Sequence, residues 1–273
     1  MNRIIREKQN MTHLSWSRIR NSSGTAGSFL KSQSTLGGKK TYYKLSNFDK
    51  VKGIIGHECV NEIIADRMLD ILGIPHLNYQ LIHADITIDE KTHEAYLCAS
   101  EDFKNRSESK IALEVYWEAE HLDRESPLEF CIRNGWEEYI YQMLVVDFLI
   151  LNRDRHGANI EVLRNSRKQS IRLAPLFDHG LSLLFSCTDD ASVAEFDVLA
   201  DRRVNNYIGS GSTWENLGLI PKDKLPKLNP LQEGDKRILM DGLDGIISPI
   251  LQDKIWEMIW KRWCAYEDFC HSR

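Results

Sequence analysis

Three oxygen-bearing side chains, Asp154, Asn159 and Asp178, stand where the chain leaves a long apolar run and where it returns from a short turn. The first two lie in "NRDRHGAN", residues 152–159, directly after "MLVVDFLIL"; the third lies in "LFDHG". Between them, two short apolar runs flank the turn-like "RNSRKQ", which predicts a hairpin over Ile160–Leu176. A hairpin brings its two ends together, so Asn159 and Asp178 would meet beside Asp154. Oxygen ligands in that number suit magnesium, which keeps few protein ligands and takes the rest of its shell from water and phosphates. The chemistry this permits is phosphoryl transfer, with one aspartate facing an acceptor hydroxyl while an Asn and a second Asp hold the metal.

Taken singly, an Asp near a helix end is a cap and an Asn before a strand is a turn residue. The D-x-x-x-x-N spacing of Asp154 and Asn159, which protein-kinase catalytic loops share, the buried helix before it and the hairpin after it together favour a site. Asp147, inside the apolar run, must find donors or water, and is expected to play a structural role by bonding the backbone of the loop that follows. A phosphate cradle could come from "SSGTAGSFLK", Ser22–Lys31, whose Gly24, Gly27 and Ser28 let backbone amides approach an anion; the bland reading is a mobile linker. "GGKKT" is not a Walker loop, because Gln33 holds the first Gly position and Lys40 stands where Ser or Thr is needed.

These residues need elements to position them. "GHECVNEIIADRMLDILGIP" has helical spacing closed by Gly73 and Pro75, predicting a helix over residues 57–72. "LNYQLIHADITI" and "EAYLCASEDF" read as adjacent strands around the turn "DEKTH". After Phe103 the pattern turns helical: "ALEVYWEAEHL", "WEEYIYQMLVVDFLILN", and a long stretch from Asp235 to Phe269 in which Trp256, Trp260 and Trp263 form a core stripe. The expectation is an α+β fold of two lobes, residues 1–102 β-rich and 103–273 helical.

With 273 residues, 42% hydrophobic and 27% charged, the chain has room for such a core. A net charge of −5 argues against direct nucleic-acid binding, although a local basic patch would be compatible. The six cysteines form no C-x-x-C pair and fit reduced thiols. With no secretory h-region and no run long enough to span a bilayer, the sequence reads as cytoplasmic, without membrane association.

"FLILNRDRHGANIEVL" and "LAPLFDHG", with "NEIIADRMLDILGI" upstream, resemble the kinase core of HipA-like serine/threonine kinases, bacterial toxin kinases with a phosphoinositide-kinase-related fold; the likeness covers roughly residues 21–260. The resemblance implies a bilobal protein-kinase-like fold with ATP and Mg2+ between the lobes. Asp154 would be the catalytic base, and Asn159 and Asp178 would be the magnesium ligands. Lys44 in "TYYKLS" would contact phosphates, with Lys31, Lys39 and Lys40 as rivals, and Glu62 would pair with it, with Glu58 as rival. Cys98, Ala99 and Ser100, in the stretch Leu97–Asp102, would form the hinge that binds adenine, and His156 would position the loop or touch phosphate. The family also implies a protein substrate, an antitoxin-like partner, and autophosphorylation in the Gly-rich loop, for which Ser22, Ser23 and Ser28 qualify by position. The additional N-terminal subdomain of the long HipA form has no counterpart in the short segment ahead of that loop. Arg202 and Arg203 read as a solvated pair that could also meet substrate. Two rivals stay open, a kinase fold that binds nucleotide or a partner without transfer, and a small-molecule or lipid kinase.

Overall fold

The computed structural model describes residues 3–19 and 26–272. Strands β1 (Ile4–Asn10), β2 (Ser17–Ile19), β3 (Ala26–Leu36) and β4 (Lys39–Leu45) are followed by a two-strand ribbon, β5 (Phe48–Asp49) with β6 (Gly53–Ile54). Helix α1 (Glu58–Leu72) then leads to β7 (Gln80–Ile88) and β8 (Lys91–Glu101). Six of these strands form one sheet in the order β1-β7-β8-β4-β3-β2. The protein is thus α+β, its sheet lying ahead of a largely helical part.

Helix α1 starts and stops where its spacing predicts, Gly73 closing it in the left-handed region at φ 74°. All of it except Asp70 and Ile71 is buried, so its polar residues need partners from other elements. The β7–β8 turn is tighter than its composition suggests. Asp89 and Glu90 alone make it, both at positive φ, and Lys91–His93 join β8.

The N-terminal segment belongs to the sheet. β1 pairs in parallel with β7, Ile4 opposite Leu81, and Arg3 reaches Asp66 and Asp70 of α1. Of the stretch 22–31 read as a loop, residues 26–31 belong to β3, so Gly27 and Ser28 have strand backbone; Ser22, Ser23 and Gly24 lie outside the described residues.

Beyond the sheet come β9 (Ser109–Ala112), α2 (Leu113–Glu120), α3 (Pro127–Arg133) and α4 (Glu137–Leu149). β10 (Asp154–Arg155) and a 3-10 turn, Gly157–Asn159, lead into the expected hairpin, β11 (Glu161–Asn165) and β12 (Ser170–Leu173), which β9 extends to three strands. Then follow α5 (Asp190–Ala194), β13 (Asn205–Asn206), α6 (Thr213–Gly218), α7 (Lys236–Met240) and α8 (Pro249–Ser272). The long terminal helical stretch is broken between α7 and α8, where Gly242 and Gly245 take positive φ and Pro249 opens the new helix. Of the tryptophan stripe only Trp263 is fully in the core; Trp256 and Trp260 are half-buried and stack on each other at 5.6 Å. One large core joins α1 to the helices, and a smaller one, around Leu45, Ile86 and Leu97, fills the other face of the sheet. No described helix is long and apolar enough to cross a membrane.

Candidate active site

Lys44 sits on β4 opposite Cys98 of β8 and Lys31 of β3. Its side chain is only 12% exposed, and an ammonium there needs carboxylates. It has two: Nζ donates to Glu62 Oε1 at 2.8 Å and to Asp178 Oδ1. Burial alone would lower the Lys44 pKa, but Asp178 and Glu62 outweigh it and hold the group well above its ordinary value. Of the rivals, Lys39 is exposed beside Glu101 and Lys40 lies over the Tyr42 ring. Lys31 lines the same cleft as Lys44. Glu58 is buried as well, but it accepts the Asn47 N–H at 3.0 Å and does not pair with Lys44.

Glu62 divides its carboxylate, Oε2 accepting the His179 N–H at 2.8 Å. Its neighbour Asn61 donates to the Gly180 and Ser182 carbonyls at 3.1 and 3.0 Å. The segment carrying Asp178 is therefore tied to α1. Asp178 has φ 61°, a region Asp tolerates better than most residues, and its N–H donates to the Tyr79 hydroxyl at 3.2 Å. Gly180 allows a close approach: a Cβ there would lie 3.1 Å from Lys44 Nζ, 3.2 Å from Glu62 Oε1 and 3.3 Å from Glu58 Cβ, so its neighbours would have to give way slightly. Sequence reasoning missed Tyr79, Asn61 and Gly180. The polar pair Asn61-Glu62 inside an apolar helix was the available signal.

Asp147 meets the expectation of a structural role, but through side chains. It accepts from Arg155 Nε at 3.0 Å, from Arg155 Nη2 at 2.8 Å and from the Asn152 amide at 2.9 Å. Arg155 is fully buried, and its Nη1 donates to the carbonyls of Phe177 at 2.9 Å and Asn159 at 3.3 Å. Burial opposes the charge, yet Asp147 keeps the guanidinium above its ordinary pKa. One buried cation thereby ties Asn159 to the residue before Asp178. His156 caps the 3-10 turn, its Nδ1 accepting the Ala158 N–H at 3.1 Å, with Nε2 3.7 Å from Asp154 Oδ2.

Between sheet and helices lies a cavity of about 780 Å³. Its lining combines apolar and aromatic surface, from Leu77, Tyr79, Phe103 and Phe177, with the charged and polar side chains of Lys44, Lys31, Asn159 and Asp178. Of the predicted hinge, Cys98 and Ser100 line the cavity, whereas Ala99 packs into the smaller core. The β7 ladder ends at the Gln80–Ala99 pair, so the strand partnership of β8 on that edge stops just before Ser100. Asp154 and His156 are not in the lining. Asp154 stands outside it with its side chain 26% exposed, Oδ1 accepting from the Asn205 amide at 3.2 Å.

The donor set fits magnesium. Asn159 Nδ2 is fixed to the Asp154 carbonyl at 2.8 Å, which leaves Oδ1 buried with no hydrogen-bond partner, an acceptor awaiting a positive group. Among the described residues no cluster of three His, Cys, Asp or Glu side chains could hold a metal, so an ion here would rest on Asn159, Asp178 and oxygens of the substrate.

No family model matches the chain, and no curated protein does. Among solved structures it is similar to the Helicobacter pylori proinflammatory kinase CtkA, with a TM-score of 0.65 at 16% identity over 93% of each chain. It is more loosely similar to HipA of Shewanella oneidensis MR-1, in a complex with HipB and operator DNA, at a TM-score of 0.43 and 15% identity, over 90% of this chain and 57% of that one. The first similarity covers almost the whole of both molecules. The fold is that of a kinase.

Proposed function

We propose that the protein is an ATP-dependent phosphotransferase that uses magnesium and passes the γ-phosphoryl group to a Ser or Thr hydroxyl of a protein. The observation that carries this reading is Lys44, held between Glu62 and Asp178 in the wall of a cavity that Asn159 also lines and that has aromatic surface for a flat ring. Magnesium ATP supplies the phosphoryl group and neutralises charge as it transfers. Lys44 steadies the phosphates, Asn159 and Asp178 hold the metal, and the exposed edge of Asp154 orients the acceptor hydroxyl and takes its proton. Catalysis is then mainly positioning and electrostatics. The reading extends to an antitoxin-like protein partner and to action in the cytoplasm.

The test is intact-mass and radiolabel analysis of the protein with magnesium ATP and a protein extract, beside Asp154→Asn and Asp178→Asn. Labelling by the wild type alone is the expected result. Magnesium-dependent ATP affinity should survive Asp154→Asn and weaken in Asp178→Asn. Failure of the wild type to bind magnesium ATP would sink the proposal.

A further inference from the structure

Beside Asp154 the structure gathers positive charge that the phosphoryl-transfer reading does not use. β13 pairs in parallel with β10, Asn205 opposite Asp154, and the Asn205 N–H donates to the Arg153 carbonyl at 2.9 Å. The residues just before Asn205 thus run alongside the residue just before Asp154. Arg153 Nε donates to the Arg203 carbonyl at 2.6 Å, and burial together with the nearby charge of Arg202 pulls the Arg153 pKa below its ordinary value. Arg202 lies over the Phe196 ring at 4.1 Å, its Nε buried without a hydrogen-bond partner.

Among the described residues, Arg153, Arg202 and Arg203 reach no carboxylate within ion-pair distance; other arginines such as Arg164 and Arg237 reach none either, and what marks these three is that they lie together beside Asp154. The acids of the same segment face elsewhere: Asp197 and Asp201 act on the buried Arg262 and accept the Leu199 N–H at 3.0 Å and the Ser212 hydroxyl, and neither lies within ion-pair distance of the three arginines. Nor is the segment loose. Arg262, fully buried, donates to the carbonyls of Val198, Ala200 and Phe148 at 2.8, 3.1 and 2.9 Å, fastening it to α4 from beneath. Three guanidinium groups on one fixed segment, none paired with a carboxylate, suit an anion, and guanidinium groups match carboxylate and phosphoryl oxygens in geometry.

We infer that Arg153, Arg202 and Arg203 form an acceptor-side subsite that takes an anionic side chain, carboxylate or phosphorylated, next to the hydroxyl to be phosphorylated. This rests on the reading that Asp154 faces a hydroxyl of a polypeptide. It makes the enzyme selective for acidic surroundings of the target residue despite its own net negative charge.

The test uses the full chain and three labelled serine pentapeptides, with the serine flanked by glutamates, by glutamines, or by glutamines and one phosphoserine. Binding is read by fluorescence anisotropy for the wild type and for the double variant Arg202→Gln with Arg203→Gln. The wild type should bind at least one anionic peptide about tenfold tighter than the glutamine peptide, and the double variant should approach parity. Which anionic peptide binds tighter tells carboxylate from phosphoryl recognition. Equal or absent binding of all three by the wild type, or a preference undiminished in the double variant, overturns the subsite. Magnesium-dependent ATP affinity of the same samples separates the two failures: its loss in the wild type removes the phosphotransferase reading, whereas its retention without anion preference removes only the subsite.

Discussion

Replacing Asp147 by asparagine keeps the shape of the side chain and removes the carboxylate that faces Arg155. The guanidinium is fully buried and cannot reach water without opening the loop. Breaking such a pair from one side costs about 3–5 kcal/mol, because the remaining charge is stranded. Arg155 would keep the Phe177 and Asn159 carbonyls, which places the cost at the lower end, about 3 kcal/mol. For a chain of this size that lowers Tm by about 5 °C. Thermal and urea unfolding followed by circular dichroism would measure it. The pair Asp147→Leu with Arg155→Met should recover most of the loss, since no charge is then left alone, yet remain poor in phosphoryl transfer, since the tie between Asn159 and Phe177 is gone. A single-variant loss below about 1 kcal/mol would refute the claim that this pair holds the loop.

Two further outcomes follow from the site. Gly180→Ala should lower transfer about tenfold or more while Tm moves by no more than a few degrees, because the new Cβ crowds Lys44 and Glu62 at the far ends of their side chains; unchanged turnover would show that the contact is tolerated. Burial pushes the His57 imidazole down to about 4, so the unfolded chain binds the proton more readily. Its stabilising contribution is complete above the unfolded pKa of about 6.5 and is lost as pH falls toward 4, amounting to about 2 kcal/mol by pH 5. His57→Gln should flatten the pH dependence of unfolding by that amount between pH 7 and pH 5, and parallel curves for the two proteins would contradict the assignment.

Helix α1, the β11–β12 hairpin and the convergence of Asn159 with Asp178 on one cavity follow from local patterns: helical spacing closed by a glycine, and two apolar runs around a polar turn. β1 was not legible, because "IIREKQN" offers two apolar residues before a charged edge, and its partner β7 lies more than seventy positions away along the chain. β9 is short and mostly half-exposed, and only its pairing with β11 makes it a strand. Arg155 shows the same limit within the site. In sequence it is one charged residue among several, and only the turn of the chain after α4 brings it back onto Asp147. The break between α7 and α8 was written in Gly242, Gly245 and Pro249, but a strong helical pattern on either side concealed it.

The adjacent residues Asn61 and Glu62 give α1 a mechanical property. One grips the strand lysine and the His179 amide, the other the carbonyls of Gly180 and Ser182, all with directional bonds. Both residues hold the same stretch, residues 179–182, and Glu62 holds Lys44 as well, so the position of α1 sets the lysine and the aspartate segment at once. The helix is the common reference against which the two sides of the cavity are aligned.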